Sequence, residues 1–282
     1  MPKLPLSPTS VLGVVKEMRA EDQDVKPLLV GGAAEHAQAI VSAFADFAAP
    51  EALRDISGRS PSAYDLEGAS VLVYAADGPT PREDDEKVFQ LASRKGVGIV
   101  CVLFGASTGD PPPIPYVLDS DVIQVTPGEP LPVEEIAERV AERAGDAAHL
   151  LAARIPALRE PVVEKLVKGF AVQNGVLGVA IFIPGADFPV LTLNQIRMVL
   201  RIAAAHGEEL DKDRIFEILS VVAAGLGFRT VARQLAGVVP GLGWAVKGGV
   251  AYGGTIALGE AASKYFAAGG TKAIERSVRS RS

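Results

Sequence analysis

The turn Gly31-Gly-Ala-Ala-Glu-His-Ala-Gln38 follows an apolar run and is the first place where phosphate chemistry would sit. A loop of the form GxxxxGK[ST] uses glycine for close backbone approach, lysine for the β- and γ-phosphates, and a hydroxyl for Mg²⁺. Read from Gly31, the last three positions hold His36, Ala37 and Gln38; read from Gly32, they hold Ala37, Gln38 and Ala39. Neither register has the lysine or the hydroxyl, and Glu35 puts negative charge where phosphates would lie. Gly31 and Gly32 therefore stand as nucleotide-binding candidates only through a backbone nest able to hold an anion weakly.

The other chemistry-bearing patterns are equally thin. An Asn-Lys-x-Asp segment would hold a guanine edge, but the matching strand runs out into Phe104-Gly-Ala-Ser107. Asp65-Leu-Glu-Gly68 has Asp-x-x-Gly spacing, yet it precedes a strand and reads as a loop. Asp77-Gly78 ends a strand where a phosphate-sensing loop could sit, and Gly-Pro-Thr-Pro reads equally well as a turn. Three scattered histidines (His36, His149, His206) and one cysteine (Cys101) give no metal-ligand spacing and no disulfide framework. No catalytic residue, metal site or cofactor is expected.

The elements that would carry these turns alternate between strand and helix. Lys26–Gly32, Ser70–Ala76, Gly98–Phe104 and Asp121–Thr126 are short apolar runs with the near-continuous hydrophobicity of strands covered on both faces. Ala33–Phe47 places Ala37, Ile40, Val41 and Phe44 on one helical stripe, and Arg82–Lys95 opens on four acidic residues that suit a helix dipole. Val133–Ala153 reads as a long helix, kinked near Gly145, that leaves this domain. The expected fold class is α/β plus all-α: a Rossmann-like parallel sheet, then an apolar, glycine-rich helical domain.

Charge divides in the same place. Of 28 basic and 34 acidic residues, positions 1–150 carry a net −12 and positions 151–282 a net +6. The overall −6 argues against a nucleic-acid partner. Met1–Ser10 has three prolines and no apolar core of the kind secretion signals need, so a chain in the cytoplasm or on its membrane face is expected. The boundaries read as an N-terminal segment (1–25), the α/β domain (26–130), a connecting helix (131–160), a helical domain (161–268) and a basic tail (269–282).

In the second half, Thr192-Leu-Asn-Gln195 has capping-box spacing, with Thr192 as cap and Gln195 reaching back. The helix it opens carries Ile196, Val199 and Leu200 on one face, with Arg197 and Arg201 beside it, and ends at His206, whose ring would complement the dipole. Asn194 and Gln195 could instead bind something polar. From Trp244 onward, small residues fall at Ala245, Gly249, Gly253, Ala257 and Ala261, every fourth position. Such a ridge lets a second helix backbone approach closely, the expected partner being Leu226–Val239.

Five stretches carry a family resemblance: Leu150–Arg159, Pro184–Met198, Gly225–Arg233, Val239–Lys247 and Gly248–Gly259. In that order they resemble the GTPase-associated domain of unknown function that follows Era-like GTPase domains and occurs in YcjF-like proteins. The stretches bring Arg229 and Arg233 into the polar set with Thr192, Asn194, Gln195 and Arg197. The first half then resembles an Era-like GTPase domain that has lost its phosphate and base motifs. No activity comes with the resemblance; what it implies is association with GTPase-type proteins and with membranes.

A crossing helix needs about 20 mainly apolar residues. The uncharged runs Gly169–Ala186, Gln234–Val246 and Gly248–Gly259 are short or interrupted by polar residues, prolines and glycines. The expectation is a non-catalytic GTPase-like scaffold whose helical part touches a membrane, dips a hairpin into it, or self-assembles. The competing readings are an atypical nucleotide hydrolase using Gly31–Glu35 and a soluble protein-interaction module.

Overall fold

The computed structural model describes residues 26–59, 61–106, 109–180, 187–210 and 244–270, with isolated positions 13, 14, 16, 18 and 215. The chain divides into two compact units, Asp24–Val162 and Met1–Gln23 with Val163–Ser282. Residues 131–160, read as a connecting helix, fall within the first unit.

The first unit is built on five parallel strands: β1 (Leu28–Gly32), β2 (Leu53–Asp55), β3 (Val71–Asp77), β4 (Gly98–Phe104) and β5 (Val122–Val125), in the order β2-β1-β3-β4-β5. Register runs Leu28 against Val71, Val71 against Gly98, and Cys101 against Val122. Around the sheet lie α1 (Ala34–Ala45), the single turn α2 (Ala63–Leu66), α3 (Glu83–Arg94), α4 (Val133–Arg143) and α5 (Ala148–Arg154). Strand order reverses beyond β1, so right-handed crossovers send α1 to one face of the sheet and α2 and α3 to the other.

Alternation along the strands divides the core accordingly. Leu29, Leu72, Tyr74, Ile99, Cys101 and Leu103 share one cluster with Val88, Phe89 and Ala92 of α3. Their neighbours Leu28, Val30, Val73, Val100 and Val102 are buried too, as the two-sided cover of a parallel sheet requires. Burial pushes the Cys101 thiol up to about 12. The expected long helix is broken in two: Gly145 has φ +59°, and a 3₁₀ turn at Gly145–Ala147 separates α4 from α5.

The second unit contains α6 (Arg159–Ala180, from Val163 onward), α7 (Asp187–Ala205) and α8 (Trp244–Ala267). Helix α7 starts five residues before Thr192, so Thr192 lies inside the helix and does not cap it. Helix α7 ends as read from sequence: His206 Nδ1 donates to the Ile202 carbonyl at 2.9 Å.

Candidate functional site

A doubly wound sheet offers a ligand crevice beyond the carboxyl ends of its strands, where the order reverses. Here the reversal falls between β1 and β3, and the β1 exit turn is drawn against the end of β3. Ala33 N donates to Ala75 O at 2.8 Å, and Gly58 N donates to Gly32 O at 3.1 Å. Gly32 has φ +103°, and a Cβ there would sit 2.1 Å from Ala75 O, so the position admits glycine alone. A Cβ on Gly31 would meet Ile56 Cγ1 at 3.2 Å. Close strand packing explains both glycines.

The side chains around this turn hold one another. The His36 ring stacks on Phe104 with centroids 4.0 Å apart and planes 2° from parallel, and His36 Nε2 lies 3.7 Å from Asp77 Oδ1. Arg82 pairs with the other Asp77 oxygen at 2.8 Å. At the end of β2, Asp55 Oδ1 accepts from Ser57 N at 2.8 Å, and Asp55 Oδ2 accepts from Gln38 Nε2 at 2.8 Å.

That last pair exposes a pattern the sequence reading passed over. Asp55-Ile-Ser-Gly58 has the Asp-x-x-Gly spacing and directly follows a strand, whereas Asp65-Leu-Glu-Gly68 does not. Asp65 instead closes a capping box with Ser62 at the start of α2, a structural role that replaces the expected loop. Hydrogen bonds from Arg59, and then from Ser62, hold its carboxyl well below the usual carboxylate range. The signal missed for Asp55 was its strand: three residues long, at the sheet edge and only half-buried at best.

In the helical unit, Asn194 of the polar set joins a hydrogen-bonded chain. Asn194 Nδ2 donates to Asn174 Oδ1 at 3.1 Å, Asn174 Nδ2 to Thr255 Oγ1 at 2.9 Å, and Thr255 Oγ1 to Ala251 O at 2.7 Å. This chain ties α6, α7 and α8 together through an apolar interior in which Asn174 and Thr255 are fully buried. Neither Asn174 nor Thr255 was singled out from sequence, because a lone polar residue in an apolar run gives no motif. Thr192, Gln195 and Arg197 are half-buried along α7, and Arg229 and Arg233 lie outside the described residues.

The small-residue ridge is displaced from its expected face. Gly249, Gly253 and Ala257 are exposed, Ala261 is half-buried, and a Cβ on Gly249 or Gly253 would meet nothing within 4 Å. Of Ala245 only the backbone is described, and the expected partner Leu226–Val239 lies outside the described residues. Close approach occurs instead at Gly248 and Gly259. A Cβ on Gly248 would sit 2.6 Å from Val179 Cγ2 and 3.0 Å from Gly175 O; one on Gly259 would sit 2.5 Å from Val167 Cγ2. The buried stripe of α8 is Gly248, Ala251, Thr255, Gly259, Ala262 and Phe266.

No family model matches the chain, and no curated protein or solved structure matches it either.

Proposed function

We propose that this chain is a non-catalytic, GTPase-like scaffold whose helical unit adheres to an anionic membrane surface or to further copies of itself. The observation that carries the proposal is the Gln38–Asp55 hydrogen bond. In P-loop hydrolases the loop hydroxyl and an aspartate from a neighbouring strand jointly hold Mg²⁺. Aligning the loop pattern on Gly31 puts Gln38 at the hydroxyl position and Ala37 at the lysine position. Asp55, in an Asp-x-x-Gly segment at the end of β2, is bonded directly to that glutamine at 2.8 Å. An amide donor thus takes the lone pairs a metal would use, while the charge that grips the γ-phosphate is missing. Glu35 adds negative charge at the same edge.

The adhesive half of the proposal rests on surface composition. The second half of the sequence is net basic. Its unit leaves Val172, Val176, Val250 and Tyr252 exposed at 56%, 61%, 37% and 41%. Basic residues near an anionic surface contribute about 1 kcal/mol each, and apolar side chains add burial. Among the described residues no helix is long and apolar enough to cross a membrane, and the proposal is accordingly one of surface docking.

Flotation with phosphatidylglycerol vesicles tests the adhesive half: the full chain floats, is released by high salt, and does not float with phosphatidylcholine alone. A chain that stays in the dense fraction with both lipids and elutes as a monomer contradicts the proposal. A rise in melting temperature with GTP, GDP or ATP and Mg²⁺ would favour the hydrolase reading at Gly31–Glu35.

A further inference from the structure

The opposite edge of the α/β unit carries a second feature, independent of the nucleotide reading. A groove of about 270 Å³ opens at the amino ends of β4 and β5, lined by Ser93, Val97, Tyr116, Leu118, Asp121 and Arg143 among others. Asp121, at the end of a 3₁₀ turn, is 1% exposed. Its Oδ2 lies 3.0 Å from Arg143 Nε, in an ion pair that makes no aligned hydrogen bond, and its Oδ1 has no hydrogen-bond partner. A buried acceptor left in that state costs about 1–3 kcal/mol, more when charged, so a native fold retains one only under some compensation.

The helix ends at this edge favour positive charge beside the carboxylate. Helices in a parallel α/β sheet run against their strands, so α3 and α4 both end at this edge. Around the α3 end, Val97 N and Lys95 N donate to Ala92 O, and Gly96 N donates to Ser93 O. The negative ends of two helix dipoles therefore reinforce Asp121. The other charged groups in its field are Arg139, Glu142 and Arg143 of α4, and the first two pair with each other at 3.1 Å. Arg143 and, behind it, Arg139 offset the carboxylate, and Arg143 engages one oxygen.

The rim supplies an apolar and aromatic wall. Tyr116 is 53% exposed and Leu118 56% exposed. Tyr116 sits at φ +69°, a strained backbone for a bulky residue, and its hydroxyl is fixed by a hydrogen bond from Gln90 Nε2 at 2.9 Å. An ammonium on an alkyl stem matches this arrangement: charge at Asp121, methylenes along Val97 and Leu118, and a cation over an aromatic face.

We propose that this groove takes a lysine side chain from a partner polypeptide, its ammonium directed at the free oxygen of Asp121. The probe is N-acetyl-lysine methylamide, titrated into the ¹⁵N-labelled full-length chain, with N-acetyl-norleucine methylamide as the uncharged control. The lysine compound produces saturable shifts of the Gly96, Gly98 and Val122 amides at about millimolar concentration, as fits a single contact residue. The norleucine compound produces none. Asp121→Asn weakens binding at least tenfold, and Tyr116→Ala, at an exposed position that leaves the fold intact, weakens it about threefold. Equal shifts from both compounds, no saturable shift, or lysine binding unchanged in Tyr116→Ala would each overturn the proposal. The tyrosine variant decides the matter alone if Asp121→Asn fails to fold.

Discussion

Two glycines in one helix should respond to the same substitution with opposite signs. Replacing a solvent-facing helical glycine by alanine stabilises by about 1 kcal/mol, because alanine has fewer backbone conformations to lose. Gly253→Ala should show that gain, since its new Cβ meets nothing within 4 Å. Gly259→Ala gains the same backbone term, but its Cβ would lie 2.5 Å from Val167 Cγ2, 2.7 Å from Cγ1 and 3.1 Å from Cβ. Val167 is buried at 6% exposure and, being β-branched, has little rotamer freedom with which to retreat. Overpacking of this kind costs typically 1–3 kcal/mol, so the net effect of Gly259→Ala lies between neutral and about 2 kcal/mol destabilising. The two variants should differ by about 2 kcal/mol. Urea unfolding followed by the fluorescence of Trp244, the single tryptophan, reads the helical unit that holds both sites. Val167→Ala combined with Gly259→Ala should recover about 1–2 kcal/mol of the loss, a coupling that only direct contact produces. Equal stabilisation by Gly253→Ala and Gly259→Ala would refute the assigned packing face and return the contact to the stripe read from sequence.

Three further outcomes follow from the same structure. Asn174→Ala removes the centre of the Asn194–Asn174–Thr255 chain and takes one hydrogen bond from each neighbour, so unfolding free energy should fall by about 1–3 kcal/mol; a loss below 0.5 kcal/mol by urea titration would remove the network from the account. Cys101 is fully buried with its thiol pushed up to about 12, so iodoacetamide at pH 8 should modify it only after denaturant is added, as intact mass would show. Desolvation raises the Asp121 carboxyl above its ordinary value near 3.8, opposed by Arg143. Its contribution to stability is therefore complete below that value and is lost as pH rises through the elevated one. Asp121→Asn cannot ionise, so its unfolding free energy should decline less than the wild type's from pH 4 upward, and parallel curves would contradict this.

Much of the α/β unit was legible because its signals are redundant. The strand Gly98–Phe104 reads directly from an unbroken apolar run, and α3 from its acidic first turn and the Val88, Phe89 and Ala92 stripe. Strand β2 escaped because Leu53–Asp55 is an edge strand only partly covered, where burial imposes no pattern. With it went the placement of Asp55, the residue that gives the carboxyl edge its meaning. The start of α7 was misplaced because Thr192 and Gln195 have capping-box spacing, yet both lie inside the helix. Helix α8 is mostly small and apolar on every side, so periodicity picks out neither face, and small residues occupy both the exposed stripe at Gly249 and Gly253 and the buried one at Gly248 and Gly259. The groove at Asp121 has no linear signature: its residues come from three stretches of chain, 93–99, 116–121 and Arg143, that only the fold brings together.

The central claim, a nucleotide enzyme's frame without its grip on triphosphate, is tested most directly by isothermal titration calorimetry of GTP with Mg²⁺ into the full-length chain. No saturable heat up to about millimolar nucleotide is the predicted result. A one-to-one isotherm with a micromolar dissociation constant, abolished by Gly31→Val, would contradict it.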